Sequence, residues 1–320
     1  MSLKRTSRHL IAVLAGLLLL VGTAFADTFP EKPITLIIPL GAGGSHDVNA
    51  RVFTSIIPTY LGQPLIVKLM PGAGGQTGTA AAVKAKPDGY TLIFTHNFID
   101  QLQPLLEDLP YDTNESLVPV YKLNSAPGMI MVNSDRPWKS VEEMLDYGRK
   151  NPGKLKFATS GNWGATMTMG ALVMIDQEVD VNYIPYKGGG PAIQAVLAGD
   201  ADFTVNFPGP LLPLQEAGKI RILSFSGSER HPDLPDVPTT EELGIPGSYM
   251  ERIILAPRGI PEDRLQILRD AFTKLYEDKT FKNMMARIGE TTDGMGGDEY
   301  DKLRMQQKAD YQELVKQLSN

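Results

Sequence analysis

Cysteine is absent from the 320 residues. That excludes disulfide bonds, and it excludes the lipid-modified N-terminal cysteine of a bacterial lipoprotein. Long apolar runs are missing too: beyond residue 26 nothing reaches the 18 or so apolar residues that a membrane-crossing helix needs. No run of lysine or arginine exceeds two, and no basic stripe points to a nucleic-acid partner. The four histidines, one of them among the first 26 residues, are too few for a dense metal site. G-x-S-x-G, H-E-x-x-H and EF-hand signatures do not occur, and no metal or cofactor is expected. Tandem repeats and low-complexity stretches are also absent.

The N-terminus has its own pattern. Lys4, Arg5 and Arg8 precede the 13-residue apolar stretch LIAVLAGLLLLVG (10–22), and Ala24-Phe25-Ala26 supplies an A-x-A cleavage site. Thirteen residues make about 20 Å of helix against a hydrocarbon core of about 30 Å. Residues 1–26 therefore read as a cleaved export signal rather than an anchor. Their removal takes away three basic and no acidic residues, leaving 28 basic against 37 acidic and a formal charge of −9. The expected location is an oxidising periplasm. The remaining length favours two domains or lobes with sizeable cores.

Apolar runs alternate with helical patterns along the rest of the chain. ITLIIPL (34–40), LIVKLM (65–70) and TLIFTHN (91–97) read as strands, with helices near 46–60 and 77–86 between them. PGMIMVNSD (127–135) reads as a strand, and 140–151 as a helix opened by a Ser140/Glu143 capping box. LKFATSGN (155–162), VNYIPYKGGG (181–190), ADFTVNF (201–207) and IRILSFSG (220–227) are strand-then-loop segments, with helices near 165–177 and 191–198. Residues 261–318 read as mostly helical, with Pro261 near the start. The alternation predicts an α/β fold with largely parallel sheets covered by helices. In such folds ligands bind beyond the carboxyl ends of the strands, where every glycine-rich turn of this chain falls.

Two of those turns share a spelling. Gly-Ala-Gly-Gly follows the first strand (41–44) and recurs after the second (72–75), each time just before a helix. The first N–H groups of a helix lack intrahelical partners and carry the positive end of its dipole. Glycine lets a ligand approach them closely, so each turn is a candidate anion seat, and a pair could converge on one anion. Glycines can also serve only to make a tight turn; the doubling favours the seat. Phosphate signatures fail: neither turn has the P-loop lysine, and His46 and Thr77 occupy the final glycine position of G-x-G-x-x-G. A carboxylate is the expected anion. At a Debye length of about 8 Å the local seat outweighs the distant surface charge.

Ser45-His46-Asp47 is no catalytic triad, because sequence neighbours do not share one line of hydrogen bonds. Asp47 is placed to brace the turn and pair with Arg51 four residues on. Ser45 suits a helix cap that also faces the seat. His46 could serve as a neutral donor or as a cation. Met167, Met169 and Met174 read as core.

These segments resemble the Bug (TctC-type) solute-binding receptors of tripartite tricarboxylate transporters over essentially the whole mature chain. The resemblance is carried by FPEKPITLIIPLGAGGSHDVNAR, LGQPLIVKLMPGAGGQTGTAAAVKAKPDGYTL, ATSGNWGATMTMGA, YIPYKGGGPAIQAVLAGDADF and LPDVPTTEELGI. It implies a two-lobed type II periplasmic-binding-protein fold, a flytrap of mostly parallel sheets flanked by helices and joined by crossover strands. Residues 27–125 and 251–320 would form lobe 1, and 126–250 lobe 2. It implies a monomeric, non-catalytic receptor that takes a small carboxylate and delivers it to integral-membrane permease subunits. By the same resemblance the ligand-binding residues are Leu40, Ala42, Gly43, Gly44, Ser45 and His46 in the first turn, and Gly74 and Gly75 in the second. Thr95 and His96 follow at a strand end. Lobe 2 offers Ser160, Asn162, Thr166, Gly189 and Asn206. His46 stands where the family commonly has a small residue. Trp163 stands in a loop that usually carries small residues, either as a roof over a flat ligand or as a packed loop aromatic. Two other readings use the same pocket: a ligand sensor docking on a sensor kinase, and a periplasmic enzyme acting on an ester, for which no nucleophile–base pair is evident.

Overall fold

A computed structural model describes residues 29–318; the signal segment expected at 1–26 lies outside the described residues. Strand β1 (Ile34–Ile38), apolar except for Thr35, sits inside the first sheet, parallel to β2 (Leu65–Leu69) on one side and β3 (Thr91–His96) on the other. Two long strands extend that sheet in antiparallel fashion. These are β10 (Tyr249–Pro257) beside β3 and β4 (Leu117–Pro127) beside β10, with the two-residue β11 (Met295–Gly296) at the edge. The second sheet contains β5 (Met129–Asn133), β6 (Leu155–Thr159), β7 (Val181–Pro185), β8 (Phe203–Asn206) and β9 (Ile220–Phe225), in the order β7-β6-β8-β5-β9.

The sheets are mixed rather than largely parallel: of nine strand pairings among the described residues, four are parallel. The parallel pairs lie within the βα units. The antiparallel pairs involve β4, β5, β9 and β10, where the chain passes from one sheet to the other and back. Strands β4 and β10 have no counterpart in the residue-by-residue reading. Both are buried along most of their length, so they lack polar–apolar alternation, and Pro119 and the Glu251-Arg252 pair interrupt their apolar runs.

The helices start at the strand ends. Helix α1 (Ser45–Ile56) stops before Pro58, which opens a separate short turn (Pro58–Leu61) where the sequence suggested one helix to residue 60. Helix α2 spans Gln76–Val83, α3 Val141–Lys150, α4 Ala165–Asp176 and α5 Gly189–Ala198. The Ser140 hydroxyl caps α3, accepting from the Glu143 N–H at 3.2 Å, while the Glu143 carboxylate accepts from the Lys139 N–H at 2.7 Å. Helix α6 (Pro208–Glu216) was hidden by three prolines; Pro208 occupies its first turn, where a missing N–H costs nothing. Helices α7 (Glu262–Glu277), α8 (Lys279–Arg287) and α9 (Gly297–Leu318) complete the chain.

Phe53, Phe94, Tyr121 and Phe272 anchor the core on one face of the first sheet. Phe157 and Phe203 stack at 4.5 Å in the second, where Met169 and Met174 are also buried. Helix α9 is held by Arg304, which bonds both carboxylate oxygens of buried Asp100 at 2.7 Å. Further along, the Tyr311 hydroxyl accepts from Asn97 Nδ2 at 2.8 Å, and Tyr311 and Val315 pack on the core cluster that contains the second sheet's Phe157 and Phe203. The last helix therefore reaches from one lobe to the other.

Candidate functional site

The β-to-α turns of the two sheets meet face to face. A Cβ placed on Gly190, inside α5, would fall 2.1 Å from the Ala42 carbonyl oxygen; one on Gly41 would fall 2.5 Å from the Lys187 carbonyl oxygen. The second turn makes the same approach, since a Cβ on Gly74 would lie 2.5 Å from the Asn162 carbonyl oxygen. Gly74 and Gly75 also take φ values of 60° and 104°, which side chains disfavour. The glycines therefore do more than shape turns: they let the backbones of the two lobes come together. Gln103 Nε2 spans the same junction, donating to the carbonyls of Gly74 at 3.3 Å and Asn162 at 3.2 Å.

Between these turns lies a cavity of about 230 Å³ lined by Pro39, Leu40 and Gly72–Gly75 from one lobe and by Ser160–Asn162 and Pro185–Lys187 from the other. Helix α2 begins in its wall with Gly75 as N-cap, α4 (N-cap Gly164) and α5 (N-cap Gly188) begin within two residues of the wall residues Asn162 and Lys187, and α1 (N-cap Gly44) begins beside the outer groove. None of these four has a side-chain cap, and Asp47 is the sole acid in their first turns. No side chain therefore covers these helix starts, although the Thr77 N–H of α2 is bonded to the Gly72 carbonyl at 3.4 Å. Lys187 is the one basic residue of the lining.

The residues expected from sequence divide between the cavity wall and its supports. Leu40, Gly74, Gly75, Ser160 and Asn162 line the cavity. Ala42 and Gly43 face an outer groove with Pro191 and Ile288, and Gly44 sits against the Gly190 N–H. Thr166 is buried behind the wall: its hydroxyl accepts from the Ser160 N–H at 2.6 Å and donates to Ser160 Oγ at 3.0 Å. Asn206 donates to the Gly189 carbonyl at 3.2 Å, fixing the start of α5. Asp47 braces the first turn as its position suggested, accepting from the Gly43 N–H at 2.9 Å and meeting Arg51 at 3.2 Å. Ser45 is not the cap, because the helix begins one residue earlier than a cap there would require; its hydroxyl accepts from Arg252 Nη2 at 2.8 Å.

His46 is buried, and its Nε2–H donates to the Thr95 carbonyl at 3.1 Å. Burial, with His96 and Arg252 nearby, holds its pKa well below the ordinary 6.5, so the ring is neutral rather than cationic. His96, also buried, is lowered to about 3 by desolvation and by Arg252. Trp163 takes a positive φ of 50° and lies with Leu102, Leu106, Leu172 and Leu314 along an apolar crevice toward α9, not over the cavity.

Sequence reading missed Arg252. It is fully buried, paired with Glu290 at 2.8 and 2.9 Å, bonded to Asn124 Oδ1 at 3.0 Å, and 5.5 Å from the Phe207 ring of the opposite lobe. The available signal was a charged pair, Glu251-Arg252, at the head of the apolar run IILAP.

Comparison with known proteins agrees with this architecture. The profile described as tripartite tricarboxylate transporter family receptor matches residues 49–319. The Cupriavidus necator "UPF0065 protein in gbd 5'region" is 35% identical over 281 residues, covering 85% of this chain and 83% of its own. Protein BugT of Bordetella pertussis is 30% identical over 290 residues, covering 88% and 89%. Among solved structures, periplasmic binding protein BugD superposes with a TM-score of 0.85 at 27% identity, covering 90% of this chain and 98% of that one. MatC from Rhodopseudomonas palustris with bound malate gives 0.83 at 26% identity (90% and 100% covered), and an R. palustris protein with adipate gives 0.85 at 25% identity (90% and 97% covered). The chain belongs to the tripartite tricarboxylate transporter receptor (TctC, or Bug) family.

Proposed function

We propose that this protein is an extracytoplasmic receptor that closes its two lobes on a small organic acid in the periplasm and delivers it to the membrane subunits of a tripartite tricarboxylate-type permease. The observation that carries the reading is the set of glycine-capped helix starts without side-chain caps at the junction of the two lobes, with α2 opening in the cavity wall itself. Each contributes roughly 0.3–1 kcal/mol of charge–dipole attraction, up to about 2 when partly buried, and each charge-assisted hydrogen bond roughly 1.5–3 kcal/mol. That selects an anion with little help from basic side chains. A volume of about 230 Å³ suits a small molecule, and malate and adipate occupy two solved relatives. A ligand that touches both lobes only when they are shut favours the closed form by its differential affinity.

The test is a thermal-shift screen of organic acids against the mature chain. At about 100 times its Kd a ligand adds roughly 2.7 kcal/mol. At about 2–4 °C per kcal/mol for a chain of this size, the midpoint should rise by several degrees. A screen silent for every carboxylate but positive for a sugar or a cation would refute the reading.

A further inference from the structure

Trp163 is the residue of the cleft loops that the anion seat does not use. It directly follows the wall residues Ser160, Gly161 and Asn162, yet it takes no part in the cavity lining. Its φ of 50° is left-handed, which a bulky residue adopts only where its surroundings hold it there. The part-buried side chain lines an apolar crevice whose two walls come from the two lobes. Leu102 and Leu106, in the helical turns that follow β3, and Leu314 of α9 form one wall. Leu172 and Ile175 of α4 form the other. About 10 Å³ of the crevice is free, no more than one water needs, so side chains nearly fill it.

On its cleft side the same loop is tied to the opposite lobe. A Cβ on Gly161 would lie 2.6 Å from Gly74 Cα, and the Asn162 carbonyl accepts from Gln103, the neighbour of Leu102, at 3.2 Å. Four successive residues therefore do two jobs: Ser160, Gly161 and Asn162 form the cavity wall, and Trp163 enters the apolar seam between the lobes. Helix α9 is fixed behind that seam. Arg304 holds Asp100, and Gln307 Nε2 donates to Glu251 on β10 at 2.6 Å. Opening the lobes must draw the loop away from Gly74 and the ring away from Leu102 and Leu314 together, returning apolar surface to water. An acid that fixes the loop also seats the ring, and by linkage a seated ring strengthens the hold on the acid by the same factor.

We propose that Trp163 is a closure latch: its ring, seated between α4 and the wall formed by Leu102, Leu106 and Leu314, holds the lobes shut around a captured acid and slows its release. The inference rests on the receptor reading above, from which it takes closure on a ligand. Trp163 itself touches no ligand and is a positioning residue. Apolar surface withdrawn from water only in the closed form is a differential interaction, and such interactions shift a two-state equilibrium. The effect falls on dissociation, because the ring is seated after the acid has entered.

Calorimetric and stopped-flow titration of the mature chain with malate and with adipate provides the test. Trp163→Ala removes the ring and should weaken binding about tenfold, nearly all of it as faster release. Trp163→Phe, which keeps a smaller ring, should recover part of that loss. Leu314→Ser, on the opposite wall, should act in the same direction, and the double variant should fall short of the product of the two single effects, because both act through one seat. Trp138→Phe leaves Trp163 as the sole tryptophan, and acrylamide should quench its fluorescence less once an acid is bound. Wild-type affinity and release rate in Trp163→Ala, or equal quenching with and without bound acid, would mean that the ring is merely packed in its loop; the latch falls and the receptor reading stands. If neither acid binds the wild type, the thermal-shift screen judges the receptor reading and the ligand-free chain judges the latch. Quenching of Trp163 that rises in Leu314→Ser then supports it, and quenching that stays the same overturns it.

Discussion

Helices that open onto the cleft and helices that start elsewhere begin differently. On the outside, α3 is capped by the Ser140 hydroxyl and α8 by the Asp278 carboxylate, which accepts from the N–H groups of Thr280 and Phe281. Helices α7 and α9 carry two acids each in their first turns. At the cleft, α1, α2, α4 and α5 all start from glycine with no side-chain cap, and three of them have no acid there at all. Among the outer helices, α3 and α8 cover their N-termini with side chains and α7 and α9 place acids there; on the proposed reading the cleft helices keep theirs for a ligand. A capping side chain at the cleft would occupy the N–H groups an anion needs, and its bulk would hold the lobes apart.

The sharpest break of that comparison is Gly190→Ala. The residue lies inside α5, where alanine is favoured over glycine by about 1 kcal/mol, yet the new Cβ would collide with the backbone of Ala42–Gly44. Acid affinity should fall about a hundredfold or more, while the unfolding midpoint without ligand stays or rises. Retained affinity would show that backbone contact between the lobes is dispensable for capture.

A smaller effect is expected from pH. His96 has a folded pKa of about 3 against an ordinary 6.5, and His46 shifts the same way. Below 6.5 the unfolded chain takes up protons that these buried rings refuse, so stability should decline as pH falls from 6.5 toward 3 and be insensitive to them above that window. His96→Phe should flatten part of the decline in acid-titration unfolding curves. Asp293 acts in a lower window: burial raises its pKa, but bonds from Ser125, Lys122 and Thr291 outweigh this and bring it to about 2, so its contribution is lost between 3.8 and 2. An unchanged slope between 6.5 and 4 in His96→Phe would mean the ring is not held neutral by the fold.

The smallest effect belongs to the outer helices. Ser140→Ala should cost about 1 kcal/mol of unfolding free energy and leave acid affinity where it was. A change in affinity from that variant would erase the distinction between the two kinds of helix start.

Legibility in the sequence followed the range of the interaction. The βα units around residues 34–96 and 155–206 could be read because strand runs, turn glycines and helix starts are neighbours along the chain. Thr166 and Asn206 could be named but not given roles: one props Ser160 and the other ties down Gly189, contacts made in the fold. Trp163 was ambiguous because its partner Leu314 lies some 150 residues away. Strands β4 and β10 stayed hidden because burial on both faces removes the alternation that marks a strand.

By itself the sequence determined the family, the α/β units and the two Gly-Ala-Gly-Gly turns, because glycine placement and hydrophobic period act within a few residues. Only the tertiary structure decided that those turns meet their counterparts from the other lobe, that His46 is neutral, and that Arg252, Glu290 and His96 share one buried site. Close backbone approach and desolvation arise when segments distant in the chain exclude water together, and no local pattern encodes which segments those will be.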